Sequence, residues 1–249
     1  MPVQAVVSSK LRFAELGFRD QWDMGCEDWP VDLGVKSLNT NPDFEFRKSE
    51  GTYRLLAQAY INADLGEAPE SLFQSVESVF YRMAAYPNWI LPHVNRHPVK
   101  GTQYFIRLDG LKHQFVSPSN HLLTGPFRMV VGPVEVESIT TVQFRVVSSD
   151  VPDCPFFKNK KVSSQKLIFR MLPRPDILEW LIGEAFLVEA GNGVELRARV
   201  RLKPSPLIYR LLPELVIMHE MQYRGEQMLL NFIDFRRQQA LADSAESSL

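Results

Sequence analysis

Apolar and polar residues alternate through most of residues 102–203, and the period turns helical beyond Pro206. Val194, Leu196, Ala198, Val200 and Leu202 fall on one side of an extended chain. Glu195, Arg197, Arg199, Arg201 and Lys203 fall on the other. Such a strand has one dry and one wet face, which is the signature of an antiparallel sheet. Phe186 and Val188 lead into Gly191-Asn192-Gly193, which supplies the positive φ of a tight hairpin, so two paired strands are expected. Tyr104, Ile106 and Leu108 predict another strand, as do Val134, Val136, Val142, Phe144 and Val146, which share one face. Upstream, Tyr53, Leu55, Ala57, Ala59, Ile61 and Ala63 alternate with Arg54, Gln58, Asn62 and Asp64 and predict the first strand.

Two segments carry helical spacing instead. Ala68-Pro69-Glu70 places proline and an acid at a helix start, and Leu72, Phe73, Val76, Val79, Phe80 and Met83 follow on one side. Tyr86-Pro87 is expected to end that helix. The second helix is expected over 214–235, after the Lys203-Pro204-Ser205-Pro206 elbow, with Pro213 permitting a fresh start or a kink. Leu215, Met218, Met221, Gly225, Met228, Leu229 and Phe232 form one broad apolar sector along it. A sheet with one apolar face needs a cover, and this helix supplies it. The fold class is therefore α+β: a curved antiparallel sheet wrapped on a long C-terminal helix, with a short helix after the first strand.

With 249 residues, 45% of them apolar, the chain is long enough for one large core. Residues 1–50, with Trp22, Trp29, Phe44 and Phe46 but no clear period, are expected to pack on the domain as an arm. Residues 51–240 form the domain and 241–249 a disordered tail. The 28 basic and 29 acidic residues nearly cancel, which argues against a dedicated nucleic-acid binder. The start lacks a secretory leader and no apolar run spans a membrane, so the expected location is cytoplasmic. Cys26 and Cys154 are then two free thiols.

Candidate chemistry is sparse. His93 and His97 lie between Pro92 and Pro98, where a helical metal pair is disfavoured, and no metal or cofactor is expected. His113 and His121 flank Ser117-Pro118-Ser119-Asn120, a turn sequence, and are expected to meet water. Nucleophile elbow, phosphate loop and dinucleotide fingerprint are all absent from the sequence. His219, Gln222 and Glu226 recur at i, i+3 and i+7 along one edge of the last helix's apolar sector. They offer proton donors and acceptors to a cavity if that edge faces inward, and a solvated helix edge if it does not.

The order of elements resembles the START-like helix-grip superfamily, which includes the major birch-pollen allergen, lipid-transfer domains and aromatic polyketide cyclases. Residues 78–94, SVFYRMAAYPNWILPHV, are similar to the helix, Tyr-Pro and Trp-x-x-Pro run of many polyketide-cyclase and coenzyme-Q-binding members. Gly191-Asn192-Gly193-Val194-Glu195-Leu196, the Arg-rich strand, the proline elbow and the long helix resemble their shared ending. The arm before residue 50 and the insertion at 148–166 depart from that pattern, the latter being a lid or a surface loop. The resemblance implies a cavity for a hydrophobic small molecule such as a lipid, isoprenoid or polyketide. Its walls are expected from Tyr104, Ile106, Val136, Phe144, Phe186, Val200, Leu202, Met218, Met221, Gln222, Gly225 and Leu229. A carrier or sequestering protein is the first reading. A cyclase or aromatase moving protons through His219 or Glu226 is the second. The row Arg197, Arg199, Arg201 and Lys203 is either a solvated face or a contact for an anionic membrane.

Overall fold

A computed structural model of the chain describes residues 43–49, 51–62, 68–90, 104–108, 110–131, 134–148, 161–171 and 178–246. The elements are β1 (Asp43–Ser49), β2 (Thr52–Asn62), α1 (Pro69–Phe80), a 3₁₀ turn at Met83–Ala85 and α2 (Tyr86–Ile90). β3 (Tyr104–Leu108), β4 (Lys112–Ser117), β5 (Asn120–Val131), β6 (Val134–Ser148) and β7 (Gln165–Met171) follow. The chain then forms β8 (Leu178–Ala190), β9 (Gly193–Pro204), α3 (Pro206–Leu211) and α4 (Glu214–Glu246).

All nine strands join one antiparallel sheet in the order β1-β2-β9-β8-β7-β6-β5-β3, with β4 also pairing β5. The run β5 to β9 is a meander, and β2 returns from the start of the chain to lie against β9. The first and last core strands are thus neighbours, with Leu55 opposite Val200 and Ala59 opposite Leu196. α4, about 50 Å long at helical rise, follows the elbow, where the Ser205 hydroxyl accepts from the Ile208 N–H at 3.3 Å and caps α3. The sheet and its long C-terminal helix are those that the periodicity predicts, in the helix-grip arrangement that the resemblance implies.

Several boundaries differ from expectation. β1 pairs with β2 through a turn at Gly51, whose φ is 74°, so the end of the N-terminal arm is an edge strand. α1 stops at Phe80 rather than running to Tyr86-Pro87, and Pro87 instead stands in the first turn of α2, where a missing N–H costs nothing. α4 extends past 235 to Glu246, because Gln238, Gln239, Ala240, Leu241 and Ala242 are good helix formers. Arg236, one residue past the expected end of the helix, is buried. His93, His97, Cys26 and Cys154 lie outside the described residues, as do residues 1–42, 149–160 and 247–249.

The phase of β8 also differs. Gly191, at φ 58°, and Asn192 form the turn, and Ala190 pairs with Gly193. This register sets Leu187 opposite Leu196 and Phe186 opposite Arg197. Leu181, Ala185 and Leu187 therefore share the inner face with Leu196 and Ala198, while Phe186 and Val188 lie on the outer one. The segment 181–188, LIGEAFLV, is buried on nearly every side chain, so its own alternation could not choose the phase. The two-residue turn does choose it.

The outer face of β9 is not simply solvated. Arg197 and Arg199 are each only 3% exposed. Arg197 donates from Nε to Glu195 at 2.8 Å, and Arg199 donates to Glu184 at 2.6 Å. Lys166 stands 3.5 Å from Glu184, and Gln58 donates to Glu195 at 2.5 Å. Lys203 is part-exposed and pairs with Glu179 at 2.7 Å. Of the row Arg197, Arg199, Arg201 and Lys203, the first two are buried and paired, and Arg201 and Lys203 are part-exposed.

Candidate ligand cavity

Two packed clusters hold α4 to the sheet. At its start, Ile217 joins Tyr53, Leu202, Ile208 and Leu212, with Met218 and Met221 against them. Further along, Leu229, Phe232 and Ile233 join the core formed by β2, α1, α2 and the inner sheet face. Aromatic rings fill this second cluster edge to face: Phe232 lies 5.6 Å from Phe80 and 5.4 Å from Trp89 between centroids. Tyr86 lies 4.5 Å from Trp89 and 5.4 Å from Phe144. The Tyr86 hydroxyl donates to the Phe80 carbonyl at 2.6 Å, and burial raises its pKa well above the ordinary value. Tyr86 thus fixes the α1–α2 corner as a neutral phenol.

A partly enclosed cavity of about 370 Å³ lies along the middle of α4. Its floor is the inner sheet face, including Val142, Phe144, Phe169, Ala185, Leu196, Ala198 and Val200. Its roof is α4 from Glu220 to Phe232, and Tyr86, Trp89 and Ile90 close one side. Small side chains make the space. Ala185, Ala198 and Gly225 are among the lining residues, and a volume of this size lies within the usual range of about 300–1,000 Å³ for ligand clefts.

Of the expected wall residues, Phe144, Val200, Gly225 and Leu229 line this cavity. Leu202, Met218 and Met221 belong to the cluster beside it. Phe186 lies on the outer face through the register of β8. The side chains of Tyr104, Ile106 and Val136 lie outside the described residues. His219 and Gln222 are exposed, and neither they nor the half-buried Glu226 line the cavity.

The polar groups that do line it are Glu220, Arg224, Gln227 and Asn231 on α4 and Thr140 on β6. Spacings of four, three and four residues put the helical quartet on one edge of the apolar sector. His219, Gln222 and Glu226 occupy the opposite edge. A helix advancing by about 100° per residue has two such edges, and its own period does not say which turns inward. Glu220 and Arg224 form an i, i+4 ion pair. His113 and His121 do not simply face water: their rings stack across the β4–β5 hairpin, with Nε2 of one 3.0 Å from Nδ1 of the other.

No helix among the described residues is long and apolar enough to cross a membrane. No protein-family model matches the chain, and no curated protein matches it by sequence. Solved structures are similar to it at low identity. The STAR-related lipid transfer protein of Xanthomonas axonopodis is 10% identical with a TM-score of 0.45, over 78% of this chain and 98% of that one. The Zhui aromatase/cyclase of Streptomyces sp. R1128 is 8% identical with a TM-score of 0.46, over 76% and 96%. The di-domain ARO/CYC BexL of the BE-7585A biosynthetic pathway is 11% identical with a TM-score of 0.47, over 75% of this chain, which spans only 50% of that protein's length. The strand order and the long helix of this chain have the helix-grip arrangement, and the chain is similar to these START-type and aromatase/cyclase structures.

Proposed function

We propose that the protein binds a hydrophobic small molecule in the cavity between α4 and the sheet and acts as its carrier or sequestering protein. The observation that supports this is the cavity itself. Two packed clusters flank about 370 Å³ of space whose walls are almost wholly aliphatic and aromatic. Space of this kind beside well-packed core is maintained by small residues rather than left by poor packing. The alternative, a cyclase or aromatase, requires a proton donor or acceptor at the reacting carbon chain. His219 and Glu226 lie off the cavity, and the carboxylate that lines it, Glu220, is held by Arg224. That arrangement favours holding a ligand over transforming it.

Native mass spectrometry of the purified protein tests whether it retains a small molecule. Displacement of N-phenylnaphthylamine gives a measurable affinity, and Ala198→Trp fills the floor of the cavity. Wild type should take up the probe. The variant should lose at least about tenfold in affinity while keeping its urea midpoint near the wild-type value, since it fills space instead of opening it. A folded wild type that takes up no apolar probe, or a variant that binds it equally well, would overturn the reading.

A further inference from the structure

Asn231 is 8% exposed and Thr140 is 4% exposed, and both line an otherwise apolar cavity. Neither side chain makes a hydrogen bond among the described residues. The Trp89 indole nitrogen is also unpartnered, but it is sealed within the wall. Asn231 and Thr140 are residues of the wall of the open volume itself. Gln227 stands one helical turn before Asn231 on the same edge and also lines the cavity.

Buried polar groups are almost always hydrogen-bonded, and one left without a partner is destabilising unless water or a ligand supplies one. An asparagine in a helix interior also has poor helix propensity compared with the leucines and methionines around it. The groups at this position are uncharged. Asn and Gln each offer a carbonyl acceptor and an amide donor, and Thr offers both through one oxygen. The charged groups lining the cavity, Glu220 and Arg224, neutralise each other.

We infer that Asn231, with Gln227 and Thr140, forms a neutral hydrogen-bonding subsite that selects apolar ligands carrying an uncharged oxygen function, a hydroxyl or carbonyl, over plain hydrocarbons and carboxylates. This deepens the carrier reading and rests on it. An uncharged oxygen can both accept from the Asn231 amide and, as an alcohol, donate to its carbonyl. A carboxylate entering the same place loses its hydration and finds Arg224 already paired with Glu220. A hydrocarbon leaves the amide and hydroxyl without partners.

Decane, decanol and decanoate share one chain length, and each can compete with N-phenylnaphthylamine on the intact protein. Decanol should compete about tenfold better than decane, the effect of one satisfied buried hydrogen bond, and better than decanoate. Asn231→Leu should abolish the preference for decanol and leave or improve the affinity for decane. Asn231→Gln should retain part of the preference, and a urea melt of each variant reports whether the fold is kept. Equal binding of decane and decanol by wild type, or an unchanged preference in Asn231→Leu, overturns the subsite while leaving the carrier reading intact. Tighter binding of decanoate overturns it in favour of Arg224 as the recognising group. No binding of any of the three, nor of the probe, overturns the carrier reading and the subsite with it.

Discussion

The two faces of one sheet are dry for opposite reasons. On the inner face, β9 presents Leu196, Ala198 and Val200 to a space that none of the described residues fills. On the outer face, the intervening residues Glu195, Arg197 and Arg199 are each 3% exposed, and ion pairs engage all three. Apolar contact is forgiving of shape and leaves room for a guest. Buried charges are not forgiving, because each must meet its partner in one geometry or lose its solvation without compensation. Glu184 accepts from Arg199 on β9 and stands 3.5 Å from Lys166 on β7, so one carboxylate ties three neighbouring strands. A slip of one residue in β9 would carry Arg199 to the cavity side. The outer face thus fixes the register, and that fixed register allows the inner face to stay partly empty.

The sharpest way to break this contrast is to remove one buried charge. Arg199→Met leaves Glu184 desolvated with only the more distant Lys166, and should destabilise the protein by about 3–5 kcal/mol in urea unfolding. Glu184→Leu combined with Arg199→Met should recover most of that loss. Apolar probe affinity, measured where the variants remain folded, should hardly change. A loss below about 1 kcal/mol would show that the outer charges behave as ordinary solvated pairs.

Gly183 links the two faces and gives the next largest effect. A β-carbon there would lie 2.3 Å from the Phe169 ring and 2.9 Å from the Arg199 carbonyl oxygen. The missing side chain lets Phe169 lie across β8 and form part of the cavity wall. Gly183→Ala should cost about 1–3 kcal/mol through overpacking. It should also lower probe affinity by pushing the ring into the cavity, and adding Phe169→Leu should restore stability. If stability falls while affinity holds, Phe169 has moved away from the cavity and the wall is less constrained than the inner face suggests.

Gly225 in the cavity roof should respond in the opposite sense. Glycine in a helix interior costs roughly 1 kcal/mol relative to alanine. Gly225 lines the cavity, and Gly225→Ala should therefore raise the urea midpoint by up to about that amount. A destabilised Gly225→Ala would mean that the helix backbone packs tightly there and that the roof is closed.

These contrasts also mark how far the sequence alone leads. The strict alternation of 194–203 and the long helical sector after Pro213 make the sheet and its covering helix legible, because one face of each is uniformly apolar. The phase of β8 is hidden, since Glu184 is the only charge within LIGEAFLV and it is itself buried on the outer face. The length of the Gly191-Asn192 turn carries the missing information, because two turn residues force Phe186 opposite Arg197. β1 was also present as alternation in DFEFRKS ahead of Gly51, concealed by the irregular residues before it. For α4 the apolar sector was visible, but both of its edges are polar. Only the cover supplied by β6 and the α1–α2 corner decides that Asn231, and not His219, turns inward. Arginines on alternate positions look solvated in a sequence whose acidic partners sit on another strand, which is why the Arg199–Glu184 pair was not visible.

The smallest expected effect lies where the inner face reaches the β4–β5 hairpin. His121 stands opposite Phe144 in register, two residues before the cavity-lining Leu123. Burial lowers its imidazole pKa below the ordinary 6.5, the nearby His113 adds to that, and a hydrogen bond with the Pro118 backbone partly opposes it. As pH falls, the unfolded chain therefore takes up this proton before the folded one does. The contribution to stability is complete above about 6.5 and is lost as pH falls through the lower, folded value. The ring is only partly buried, so the change is a fraction of what the fully buried outer pairs would give. Urea midpoints measured between about pH 7.5 and 5 should decline for wild type and decline less for His121→Gln. Gly183→Ala, which leaves the histidine pair in place, should keep the wild-type slope at a lower midpoint. Identical slopes for wild type and His121→Gln would show that the pair is as freely solvated as its turn sequence first suggested, and the dry inner face would then end at Leu123.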